Sequence, residues 1–180
     1  MRWDVLSSEV MYGCRVFSVR RDASRARDGR EHDFHVIETR DWVNVVPITA
    51  EGNVVMVRQF RHGIRDLTLE VPAGIIDPTD ADPAVAARRE LREETGYGCG
   101  ELLALGTVHP NPAIMNNRCH MFVAYEARQV GAPQWDGTEE LEVAVVPLDT
   151  VPDLIRSGAV SNALTIVAFH LLQVSGPPRR

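Results

Sequence analysis

Cysteine is scarce in this chain: Cys14, Cys99 and Cys119 are widely spaced, odd in number and form no CxxC pair. That argues against a disulfide framework and against a structural zinc site, and it suits a reducing cytoplasm. Long apolar runs are missing too. No segment reaches the roughly 18 to 20 apolar residues that span a bilayer, and Met1-Arg2-Trp3-Asp4 opens no such run, so neither a membrane partner nor export is expected. Basic charge is in deficit, with 19 Lys and Arg against 25 Asp and Glu for a formal charge of -6. Phosphate backbones are held by basic surface, so nucleic acid is not an expected partner. There is no internal repeat, low-complexity tract or interdomain linker. What is present, 180 residues of which 44% are hydrophobic, suffices for one globular domain with a full core, plus at most a small appendage.

Apolar patterning places the elements. Val10 to Val19 and Phe34 to Thr39 read as strands, joined by the polar stretch Arg20 to Glu31 with its Asp28-Gly29 turn, which together predict an antiparallel β-hairpin. Val43 to Ile48 and Val54 to Phe60 are β-branched runs around a Glu51-Gly52-Asn53 turn and read as core strands. Leu67 to Val71 is a further strand, leading into Pro72-Ala73-Gly74. Ala84 to Thr95 is the strongest helix: Asp82 is a good N-cap, Pro83 suits the first helical position, and Gly96 suits the position after the end. Strands follow at Leu102 to Val108, His120 to Glu126 and Leu141 to Pro147, then short helices at Val151 to Ser157 and Ala163 to Val174.

On the strong helix, Glu90, Glu93 and Glu94 stand at relative positions 0, 3 and 4 and share one face, while Ala84, Ala87 and Leu91 form an anchoring side. Stability gives little reason for this. Like charges at i,i+4 cost roughly 0.2 to 0.5 kcal/mol, and carboxylates in the last turn oppose the macrodipole by roughly 0.3 to 1 kcal/mol each. A plain reading has Arg88, Arg89 and Arg92 neutralise the glutamates on a solvated face. A site for hard divalent cations explains more, because oxygen ligands turn the repulsion into coordination.

The segment Gly74 to Tyr97 resembles a Nudix box: Gly, five residues, Glu, seven residues, then Arg-Glu-aliphatic-x-Glu-Glu-x-Gly-aliphatic. Arg89, Glu90, Leu91, Glu93, Glu94 and Gly96 match, with Tyr97 at the last aliphatic position. The first half departs, since Asp80 replaces Glu and eight residues, not seven, precede Arg89. In the family that acid braces the loop against the helix arginine, a role open to Asp80 or Asp82. The resemblance implies an α/β fold, a Nudix αβα sandwich with a mixed β-sheet, over residues 42-180, with residues 1-41 as a small N-terminal antiparallel hairpin that forms a homodimer. It implies magnesium, or manganese in its place, held by Glu90, Glu94 and the Ala73 carbonyl with Glu93 as a further ligand or catalytic carboxylate.

Similarity extends over nearly the whole chain and is strongest to the ADP-ribose and nucleotide-sugar pyrophosphatase branch, through Asp41 to Pro47, Val57 to Arg61, Glu70 to Gly74 and Glu139 to Val143. The implied reaction cleaves a nucleoside diphosphate compound, ADP-ribose or a nucleotide sugar, into a nucleoside monophosphate and a sugar phosphate. The implied base is Glu139, with Glu140 second. Arg61 is a candidate for a substrate phosphate, because its planar fork matches paired oxygens; it is equally a partner for Glu70. The loop His109 to Arg118, including Asn116, is a candidate pocket wall or a self-capped turn. Trp42 is the best of three tryptophans for stacking a base. His109, Cys119 and His120 do not make a zinc site, because adjacent strand residues face opposite ways. The competing readings are hydrolysis of another nucleoside diphosphate compound, such as a dinucleoside polyphosphate, and a nucleotide-binding Nudix domain without catalysis.

Overall fold

The computed structural model describes residues 2–135 and 140–176. The chain divides into two compact units, Met1–Asp41 with His109–Arg118, and Trp42–Val108 with Cys119–Arg180.

The first unit is a three-stranded antiparallel sheet in the order β1 (Trp3–Gly13), β2 (Ser18–Ala26), β3 (Glu31–Glu38). The expected N-terminal antiparallel strands are there, with one more strand than a hairpin. The run Val10 to Val19 is broken by a turn in which the Cys14 amide donates to the Phe17 carbonyl at 2.9 Å. The polar stretch after it is mostly strand, because its charges pair across and along the ladder: Arg20 with Asp22 and Glu38, Arg21 with Glu9, and Arg25 with Glu31. Opposite charges facing each other support a sheet as apolar pairs do. Every β1 residue is exposed, including Val5, Val10, Met11 and Tyr12. The loop His109–Arg118 belongs to this unit: the Ile37 amide donates to the Ile114 carbonyl at 2.7 Å, and the Arg118 amide to Asp41 at 2.8 Å.

The second unit contains β4 (Trp42–Pro47), β5 (Asn53–Arg61), β6 (Asp66–Glu70), β7 (Ala73–Ile75), α1 (Pro83–Thr95), β8 (Tyr97–Gly98), β9 (Glu101–Val108), β10 (Cys119–Tyr125), β11 (Arg128–Gln129), β12 (Leu141–Pro147), α2 (Val151–Arg156) and α3 (Ala163–Ser175). A four-stranded sheet runs β7-β4-β10-β9 and is mixed, since β4 and β10 are parallel while the outer pairs are antiparallel. A second sheet, β12-β5-β6, is antiparallel.

Strand alternation builds two cores, one on each face. Val43, Val45, Phe122 and Ala124 meet Ala86, Ala87 and Leu91 of α1. Val46, Cys119 and Met121 point the other way and, with Val54, Met56 and Leu69, meet Ala168 and Phe169 of α3. This is the expected αβα sandwich. The caps fall where residue chemistry puts them. Asp82 accepts from the Ala84 and Val85 amides at 2.8 and 2.9 Å, and Pro83 opens the helix. Gly96 ends it at φ 74°, and a Cβ there would lie 2.4 Å from the Gly131 carbonyl oxygen, so both conformation and space require glycine.

Candidate active site

The site is set by the short strand β7. Its register on β4 puts Ala73 opposite Asn44 and Gly74 opposite Val43, and the Val45 amide donates to the Pro72 carbonyl at 2.9 Å. This backbone runs beside the last turns of α1. Glu94, 5% exposed, accepts from the Ala73 amide at 3.0 Å. A Cβ on Gly74 would sit 2.1 Å from the Glu90 Cδ and Oε1, so the Glu90 carboxylate occupies the space a side chain would take. Glu90 and Glu94 therefore both lie against Ala73–Gly74, and Glu93 stands on the same helix face, half exposed.

Arg89 ties this face to the loop before the helix. Its Nη1 donates to Glu90 at 2.8 Å and to Glu93 at 3.0 Å, its Nη2 to the Ile75 carbonyl at 3.1 Å, and its Nε and Nη2 to Asp80 at 3.2 and 2.9 Å. The Asp80 hydrogen bonds are the largest influence and, with Glu90 and Glu93, outweigh burial and raise the guanidinium above its usual range. Arg89 reciprocally holds the Asp80 carboxyl below its usual range against a smaller desolvation effect. Of the two acids considered for bracing the loop, Asp80 does so and Asp82 caps the helix. Of the three arginines considered for neutralising the glutamates, Arg89 does. Arg88 donates instead to the Cys99 sulfur at 3.1 Å, and no glutamate pairs with Arg92 among the described residues.

Next to this, Glu70 is 2% exposed and Arg61 grips it bidentately at 2.8 and 2.7 Å. Burial pushes the Glu70 carboxyl up, but Arg61, Thr68 and Asn162 together bring it below its usual range. Trp42 is half-buried and packs on the α3-side core. Asn116, in the first unit, accepts from the Thr39 amide at 3.2 Å. Cys119 and His120 diverge as expected, the thiol donating to Asn44 at 3.2 Å and the imidazole Nδ1 lying 3.2 Å from the Thr107 hydroxyl. Glu139 lies outside the described residues, and Glu140, exposed, immediately precedes β12.

Sequence reading missed the connection that precedes them. The Gln134 amide donates to the Glu93 carbonyl at 2.7 Å and the Trp135 indole to the Glu94 carbonyl at 3.0 Å, so the chain is pinned to α1 through the carbonyls of two of the glutamates. No local pattern announces such bonds, because their acceptors are backbone atoms. The Gly74 cradle left one trace, a glycine at the head of the box.

The donors gathered here are hard oxygens, which suit magnesium or manganese and not softer metals. Among the described residues no three His, Cys, Asp or Glu side chains form a finished cage. Magnesium keeps several waters and needs only one or two carboxylates, so a partial set on a fixed backbone fits it.

Residues 38–165 match the NUDIX domain. The chain is 28% identical over 170 residues to the ADP-ribose pyrophosphatase of Bacillus subtilis (strain 168), covering 94% of this chain and 91% of that one. It is 33% identical over 137 residues to the GDP-mannose pyrophosphatase of Salmonella typhimurium (strain LT2), covering 71% and 70%. A crystal structure of an ADP compounds hydrolase superposes with a TM-score of 0.87 at 24% identity, over 97% of this chain and 94% of that one, and shows the fold. From a matched domain spanning most of the chain and a box whose Glu90 and Glu94 lie against the Ala73–Gly74 backbone, it follows that this protein belongs to the Nudix family and is a pyrophosphohydrolase acting on diphosphate anhydrides.

Proposed function

We propose that the enzyme hydrolyses the diphosphate linkage of ADP-ribose or a nucleotide sugar, releasing a nucleoside monophosphate and a sugar phosphate. The observation that carries this is the approach of Glu90 and Glu94 to the Ala73–Gly74 backbone. The activities named for the two relatives support the substrate class. Glu90, Glu94, the Ala73 carbonyl and Glu93 would hold magnesium, or manganese in its place. An ion held there would supply charge neutralisation for the diphosphate oxygens and a lowered pKa for a bound water.

The chain's own residues do the rest. Arg89 fixes the Glu90 and Glu93 carboxylates in place and ties them to the end of β7 at Ile75 and to the loop that carries Asp80. Arg61, held in plane by Glu70, presents a guanidinium to a substrate phosphate. Glu139, or Glu140 beside it, accepts the proton of the attacking water. The chain on their N-terminal side is fastened to α1 by Gln134 and Trp135. Trp42 serves the base. The fully exposed β1, with Val10, Met11 and Tyr12 on its surface, supports pairing of two copies through the first unit.

The test is phosphate release through a coupled phosphatase across ADP-ribose, GDP-mannose, UDP-glucose and a dinucleoside polyphosphate, with magnesium. Turnover of one of the first three, requiring the metal, is expected. Turnover of the dinucleoside polyphosphate alone overturns the substrate class, and metal-bound protein inert on all four overturns the activity.

A further inference from the structure

Glu70 is a buried carboxylate with every oxygen engaged. Oε1 accepts from Arg61 Nε at 2.8 Å and from the Thr68 hydroxyl; Oε2 accepts from Arg61 Nη2 at 2.7 Å and from Asn162 Nδ2 at 2.8 Å. A bidentate pair makes the guanidinium plane follow the carboxylate plane. That plane is set by the last torsion of the glutamate side chain, which is intrinsically broad. Thr68 fixes it from the same strand. Asn162 fixes it from another layer of the fold, the N-cap of α3.

Asn162 uses different atoms for two jobs. Its Oδ1 caps the helix, accepting from the Leu164 and Thr165 amides at 2.9 and 3.0 Å, while Nδ2 reaches Glu70. Capping alone needs only the oxygen, which Ser or Asp supplies nearly as well. The amide donor is what Asn adds. The same helix turn also receives the Val71 amide on Thr165 Oγ1 at 3.3 Å, so α3 grips β6 and the residue after it, just ahead of Ala73.

We propose that Asn162 is a positioning residue for substrate binding: it orients the Glu70 carboxylate, and through it the Arg61 guanidinium. This rests on the reading above that Arg61 holds a substrate phosphate.

The experiment compares Asn162→Ser, which keeps a cap and loses the donor, with Arg61→Gln and the double variant, using ADP-ribose or whichever diphosphate the panel shows to be turned over. We expect Asn162→Ser to raise KM about tenfold with kcat changed less than about twofold. Arg61→Gln should raise KM further, and adding Asn162→Ser to it should change nothing more. Asn162→Asp keeps the cap but sets a second carboxylate beside Glu70, and should raise KM at least as much as Ser. If Arg61→Gln raises KM and Asn162→Ser does not, the positioning role is wrong while the Arg61 reading stands. If Arg61→Gln leaves KM unchanged, the Arg61 reading falls and takes this one with it. A lower melting temperature and lower kcat at unchanged KM for Asn162→Ser would make Asn162 a helix cap only and overturn the proposal.

Discussion

Arg89 and Asp80 meet through two guanidinium nitrogens, at 3.2 and 2.9 Å, and this contact closes the loop between Gly74 and α1. It also explains the irregular first half of the box. The acid is one methylene shorter than glutamate while the chain to Arg89 is one residue longer, and the Asp77 amide, donating to Asp80 at 2.8 Å, turns the carboxylate inward. Asp80→Ala is expected to lower kcat/KM by about tenfold to a hundredfold, the range for residues that support a site from behind. Asp80→Asn, which still offers Arg89 an oxygen, should lose less. Equal activity in the Ala variant would mean that the loop needs no brace.

Gly74→Ala is a sharper probe of geometry. The new Cβ would lie 2.1 Å from the Glu90 Cδ, and because that carboxylate ends a flexible side chain, the fold can absorb the change by moving Glu90. Stability should fall by about 1 kcal/mol, whereas turnover should fall up to about a hundredfold. Thermal melts and kinetics on the same preparation check this; a wild-type rate would show that Glu90 does not need its place against Gly74.

Glu94→Gln keeps the shape and an acceptor for the Ala73 amide but removes a charge. Loss of more than about a hundredfold in turnover is expected, beyond the usual range for a merely supporting group. The apparent affinity for manganese, followed by paramagnetic resonance, should fall with it. Undiminished manganese binding would remove Glu94 from the ligand set.

Glu139→Gln and Glu140→Gln divide the base assignment. The true base, replaced, should cost about 100-fold to 10,000-fold in kcat with little change in KM. Should both variants turn over normally, the role passes to Glu93.

Stability should depend on pH through Glu70. Its carboxyl sits below the ordinary glutamate value of about 4.3, because Arg61, Thr68 and Asn162 outweigh burial. The stabilisation is therefore complete above that value, where both folded and unfolded forms are ionised, and is lost as pH falls through the lower folded value. Urea midpoints measured from pH 7 down to pH 3 should drop below about pH 4, and Glu70→Gln should flatten that drop while lowering the plateau. An identical slope in the variant would assign acid sensitivity to other carboxylates.

Much of this was legible in the chain. The α1 limits were readable because Asp82, Pro83 and Gly96 each have one strong local reason to stand where they do. The core strands were readable because Val43, Val45, Val46, Val54, Val55 and Val57 are β-branched, and all six are buried. The three glutamates were readable because helical spacing alone puts them together. Other parts were not. Ala73–Ile75 is too short to show a period, so no strand was legible over the residues that present Ala73. The β2 residues are polar, and charge pairs across a ladder leave no apolar alternation. Spacing cannot say which arginine turns toward the glutamates, since that depends on Asp80 in a separate loop. Asn162 carried no signal in the sequence, because the carboxylate that its amide meets stands ninety-two positions away.

The indole of Trp135 donates to the carbonyl of Glu94 and is 44% exposed. The indole is thus tied to the helix end that carries Glu93 and Glu94, while Trp3 meets Phe34 edge-on and Trp42 rests on the opposite core. Manganese or substrate bound at that helix end is expected to shift Trp135 emission, which a fluorescence titration checks.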